Sequence, residues 1–217
     1  MTEEEWLAEP WPLWMVFDPI CRSPRKRRLF VVACIKRFPQ LLKDKTMKEA
    51  VAWAEAYVDG VSDEKTRAKL YQRASTNSRG FSHGRIARNL LEPKFGGYVM
   101  VAENLYHLFG RPTPPEVRVK EDVAVAREKE AQKELVFEIF GNPFRPIAVP
   151  LNIFTWNNGT IPQIAEAIYE ERRFEDISIL ADALEDAGCE PTMVEHCRNG
   201  RQHVRGCWVI DLLLGKK

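Results

Sequence analysis

The sequence predicts an all-α protein, an irregular multi-helix bundle with an extended, apolar, proline-containing strap before its C-terminal helices. Three observations carry that prediction. Apolar residues recur at helical spacing, most clearly Ile161, Ile164, Ala165, Ile168 and Tyr169 at i, i+3, i+4, i+7 and i+8. Helix starts and stops bracket these stripes, as Ser23-Pro24 and Asp59-Gly60 do. Between residues 142 and 158, prolines at 143, 146 and 150 forbid helix, yet the run carries Phe144, Ile147, Val149, Ile153, Phe154 and Trp156. So apolar a non-helical segment belongs across helices, not in water.

A chain of 217 residues, 45% hydrophobic and 29% charged, suits one compact domain or two small ones. The proline run at 111–115 (RPTPP) marks the best linker, dividing an N-terminal helical region (1–110) from a C-terminal module (121–217) across residues 111–120; one continuous domain is the alternative. Net charge is +1, so no global field draws the chain to nucleic acid or membrane. No run approaches the ~20 apolar residues that span a bilayer, and the acidic start MTEEEWLAEPWP lacks the order of a secretion signal. A cytoplasmic protein is expected. Five cysteines, an odd number in a chain this long, point to reduced thiols.

Taken in order, Trp6, Trp11 and Trp14 lie among prolines 10, 12 and 19 and read as an aromatic lid or a peptide-binding groove. The helix opened by Ser23-Pro24 runs to about Arg37 and has two largely apolar stripes, which makes it central. Its first turn holds Arg25, Lys26, Arg27 and Arg28, with Arg22 just upstream. Cations there oppose the helix dipole, so acidic side chains such as Glu3, Glu4 and Glu5, or a phosphate-bearing partner, should compensate. Helices follow at 47–57, 62–74 and 85–91, with a turn-rich loop at 76–83. Gly96-Gly97 precedes a helix at 98–109 and is too little for a phosphate loop. Residues 121–140 form a charged helix whose end, Val136, Phe137 and Phe140, turns inward before Gly141-Asn142-Pro143.

In the C-terminal third, Thr160 and Gln163 have capping-box spacing, and the helix they open pairs with a second one from Phe174 to Gly188 as a short-turn hairpin. Pro191 opens a brief third helix. A last helix, from His203 or Val204 to Leu214, is apolar nearly all round. Asp211 lies inside it, and an unpaired buried carboxylate costs several kcal/mol. A structural ion pair with Arg145 or Arg205 is expected.

Cys189, His196, Cys197, His203 and Cys207 fall within nineteen residues. Thiolate and imidazole are the natural zinc ligands, so zinc is the cofactor this set could hold, if any. The spacing C-x6-H-C-x5-H-x3-C lacks the C-x2-C knuckle of structural zinc sites, however, and free cysteine is commonly core filling. A Cys197–His203 nucleophile pair across the turn is the thiol-enzyme alternative. Serine elbow, Walker loop, dinucleotide fingerprint and HExxH helix are all missing, and no catalytic residue is assigned.

The segments IFGNPFRP, WNNGT-x2-IAEAIYEER-x-F-x4-ILADALEDAGC and HCR-x4-HVRGCWVIDLLLGK resemble a family of bacterial proteins without an established activity. The start MTEEEWL and the KRRLFVVAC helix share the likeness, which covers roughly 1–60 and 137–217. It implies a mostly helical fold and a shared C-terminal module, and it carries over no catalytic residue. The leading functional expectation is a non-enzymatic adaptor that binds another protein. The alternatives are nucleic-acid binding through Arg22, Arg25, Lys26, Arg27 and Arg28, and a zinc- or thiol-dependent enzyme at the Cys/His cluster.

Overall fold

The structure, a computed structural model, describes residues 1–76, 83–92, 115–199 and 202–216. Among them are eleven α-helices and no strand, as the apolar periodicities require. Two compact units divide the chain, Met1–Val136 and Phe137–Lys217.

In the first unit, α1 (Glu3–Ala8) and α2 (Pro12–Phe17) form a short hairpin. Thr2 and Glu5 close a capping box on α1, and Trp6, fully buried, donates its indole N–H to the Met15 carbonyl at 3.2 Å. Of the Glu3, Glu4, Glu5 run, Glu5 is therefore spent on helix capping. α3 (Pro24–Lys36) starts where the serine and proline place it, with Ser23 Oγ accepting from the Lys26 N–H. Every residue from Arg28 to Ile35 is buried, so α3 is the central helix of this unit. α4 (Lys45–Val58), capped by Asp44, packs on α3, and α5 (Glu64–Thr76) and α6 (His83–Leu91) pack on α4. The buried Glu55 of α4 answers Lys36 of α3 at 2.5 Å.

α7 (Pro115–Phe140) begins on the last proline of the expected linker, where a missing N–H costs nothing. Residues 111–114 lie outside the described residues, as do 77–82 of the 76–83 loop and the whole expected helix at 98–109 with its Gly96-Gly97 turn. Within the first unit, Arg37 holds the buried Glu128 of α7 through three hydrogen bonds of 3.1 Å.

The second unit packs α8 (Thr160–Glu171) against α9 (Ile177–Asp186), the predicted hairpin, with α10 (Pro191–Arg198) on α9 and α11 (Trp208–Leu213) on α8. Ile161, Ala165, Ile168, Tyr169, Leu180, Leu184, Val209 and Ile210 fill its core. Three local expectations are corrected. The strap stays extended only to Pro150; beyond the last proline it coils into two 3-10 turns, Leu151–Phe154 and Trp156–Gly159. Ile147, Val149, Ile153 and Trp156 face the core while Leu151 is 84% exposed, so the strap is covered on one side only. The capping box at Thr160 does not form. Asn157, Asn158 and Gly159 all adopt positive φ, which puts Thr160 inside the helix and leaves Gly159 as its cap. The last helix begins five residues later than its first expected position, because Gly206 turns at φ 101 and residues 202–204 run irregularly.

α7 ends at Gly141, whose φ of +63 suits glycine, and a Cβ there would lie 3.2 Å from the Trp208 ring. Gly141→Ala is expected to lower stability by about 1–2 kcal/mol from the left-handed backbone alone, read as a lower urea midpoint at unchanged slope.

Candidate functional site

The second unit gathers four chemically competent side chains: Glu138, His196, His203 and Cys207, each with one ligand-type atom within 4.8 Å of the others. Their placement follows from local sequence. Buried Ile139 turns the end of α7 inward and takes Glu138 with it, to 3% exposure. Proline at the first position of α10 sets the register that buries Met193, Val194 and Cys197 and brings His196 to the last turn. The irregular segment before Gly206 lets His203 approach from the other side, and Cys207 caps α11.

Glu138 is the hub. Its Oε2 lies 3.1 Å from His196 Nε2 and 3.0 Å from His203 Nδ1, and its Oε1 accepts the Val204 N–H at 3.2 Å. His196 Nε2 also lies 3.3 Å from Cys207 Sγ, and His196 Nδ1 accepts the indole N–H of Trp208 at 3.0 Å. Residues 202–204 run irregularly before α11, and from that segment His203 and the Val204 N–H both reach the carboxylate. His203 is 4% exposed, and its Nε2 is buried with no hydrogen-bond partner. A ring that tolerates an orphaned nitrogen is held in place for its other one.

Burial pushes the Glu138 carboxyl up, but the hydrogen bonds and charge of the two histidines outweigh it, so it stays below the usual carboxylate value. Burial, reinforced by Glu138 and then Cys197, holds the Cys207 thiol well above its ordinary value. Burial and Glu138 push Cys197 up to about 12. These thiols are protonated at neutral pH, and the thiolate, not the thiol, is the nucleophile. Cys197 and His203 do line one cleft of about 530 Å³ with Phe174, Ile177 and Arg198, but nothing around Cys197 activates it.

Of the five cysteines and histidines expected to cluster, His196, His203 and Cys207 converge and Cys189 and Cys197 lie outside that set, although all three cysteines are packed in the apolar core. Glu138 is the member that sequence reasoning passed over. Its signal was present: a lone carboxylate in the apolar run Leu135, Val136, Phe137, Ile139 poses the same question as Asp211. Asp211 is indeed 1% exposed. Arg205 sets its guanidinium over the Tyr169 ring and donates Nε–H to the phenol oxygen at 3.1 Å, while Arg145 is exposed on the strap.

The basic start of α3 is largely spent inside the first unit. Arg28 is 3% exposed; it donates to the carbonyls of Leu90 and Glu92 and lies over the Tyr57 ring. Arg27 reaches the Asp18 carbonyl, Arg25 pairs with Asp59 at 3.8 Å, and Arg22 Nε–H bonds the Pro19 carbonyl. Lys26 is half-buried. Asp59 and backbone carbonyls supply part of the compensation these cations need. Of the early tryptophans, Trp6 is core, Trp11 is 43% exposed beneath the Lys129 ammonium, and Trp14 is 66% exposed.

No family model, no curated protein and no solved structure matches this chain.

Proposed function

We propose that the chain is a non-enzymatic interaction module that binds another protein through the outer face of the α1–α2 hairpin. The observation that carries this reading is the exposure of Trp14 and Trp11, beside Leu7 at 40%, on a hairpin that the buried Trp6 pins to the first unit. Exposed indole rings are the side chains most enriched at protein interfaces, since each offers a large rigid area at small entropic cost. Glu4 is exposed in the acidic first turn of α1, which suits a partner with an apolar centre and a basic edge. The only four-residue ligand set found among the described residues is closed inside the second unit, which favours a binding role over a reaction there. The inward use of Arg25, Arg27 and Arg28 weighs against a nucleic-acid partner. Five free, buried cysteines fit a reducing, cytoplasmic setting.

A photo-crosslinking residue placed at position 14 of the full chain tests this in extract of the source cells. A discrete protein adduct is expected, competed by excess wild-type chain and not by the Trp11→Ala/Trp14→Ala double variant. No protein adduct, or equal competition by both chains, contradicts the reading. The double variant should keep wild-type stability to within about 0.5 kcal/mol, because both rings are partly in water.

A further inference from the structure

We propose that Glu138, His196, His203 and Cys207 bind one zinc-class divalent cation, which closes the second unit. The proposal is independent of the interaction face on the first unit.

Charge supplies the first argument. The Glu138 carboxyl is 3% exposed, and among the described residues its only ion-pair partners are two imidazoles, with no lysine or arginine bridging it. A buried carboxylate without a cation is costly. One divalent ion with the Glu138 carboxylate, the Cys207 thiolate and two neutral imidazoles sums to zero. Ion binding releases the Cys207 proton, and the thiolate is the ligand.

Geometry supplies the second. Zinc bonds of about 2.0–2.1 Å to nitrogen or oxygen and 2.3 Å to sulfur place neighbouring tetrahedral ligands about 3.3–3.7 Å apart. The observed separations are 3.1, 3.0 and 3.3 Å along three edges, with the whole set within 4.8 Å. A shift of a few tenths of an ångström makes room. Two imidazoles, one thiolate and one carboxylate select zinc or cobalt over magnesium or calcium, which prefer all-oxygen shells. Four protein ligands fill the tetrahedron, the pattern of a structural rather than a catalytic zinc. One contact opposes loading: a cation on His196 Nε2 moves the ring proton to Nδ1, where the Trp208 N–H now points. Loading therefore breaks that hydrogen bond and shifts the indole.

The test is elemental analysis and cobalt spectroscopy of the full, untagged chain. One zinc per chain is expected after growth with zinc. Replacement by cobalt(II) should give tetrahedral d–d bands with a thiolate-to-cobalt charge-transfer band. Cys207→Ser should lose that band and weaken cobalt affinity about 10-fold or more, while Cys189→Ser and Cys197→Ser keep both. Zinc far below one per chain together with no cobalt spectrum overturns the proposal. So does a charge-transfer band that survives Cys207→Ser or vanishes in Cys189→Ser. Should Cys207→Ser fail to fold, the wild-type spectrum and the two other cysteine variants still decide.

Discussion

Glu138→Gln is expected to destabilise the chain by about 3–5 kcal/mol at neutral pH, the cost of removing one partner from a buried charged network. The amide keeps the shape and changes only the chemistry. In the wild type, two imidazole nitrogens and the Val204 N–H aim at the two carboxylate oxygens. Glutamine offers one carbonyl oxygen, and its NH2 faces donors. The pH dependence follows from the direction of the shift. Because the folded carboxyl titrates below the unfolded one, its stabilisation is complete above the ordinary carboxylate value and is lost as pH falls through the folded value. Urea unfolding of both proteins, freed of metal by a chelator, across the acid range should show the gap narrowing as pH drops. A gap that is absent at pH 7, or constant with pH, would contradict the network.

Trp6→Ala is expected to cost about 3–5 kcal/mol. The ring is fully buried, and its N–H bonds the Met15 carbonyl, joining α1 to α2. Trp14→Ala, eight residues away, should cost almost nothing. Thermal or urea unfolding of the two single variants reads this contrast directly. Similar losses in both would mean that the hairpin is not arranged as described.

The contrast also shows what the sequence carried and what it withheld. Local chemistry was legible. Ser23-Pro24 opens α3, and the i, i+3, i+4 stripes draw the α8–α9 hairpin, because capping and amphipathicity act over a few residues. The three early tryptophans look alike in sequence, however, and only packing sends Trp6 inward and leaves Trp14 in water. Backbone reversals were harder to read. Positive φ at Asn157, Asn158 and Gly159 passed the cap of α8 from Thr160 to Gly159, and Gly206 shortened α11 and released His203 to face Glu138.

The site was half legible for the same reason. His196, His203 and Cys207 were suspected as a local cluster, whereas Glu138 sits more than fifty residues earlier, at the end of a charged helix. Chain spacing says nothing about a ligand that arrives through tertiary packing. Cys189 and Cys197 lie in the same stretch but outside the four-residue set. The basic run at the start of α3 suggested an outward patch, and the interior carbonyls of Leu90 and Glu92 that take up Arg28 lie more than sixty residues downstream.

Zinc-edge X-ray absorption of the purified full chain tests most directly whether these four side chains meet at one point. The account predicts a four-coordinate ion with one sulfur and three nitrogen or oxygen neighbours, two of them imidazole. A shell without sulfur, or one with two or more sulfurs, would contradict it.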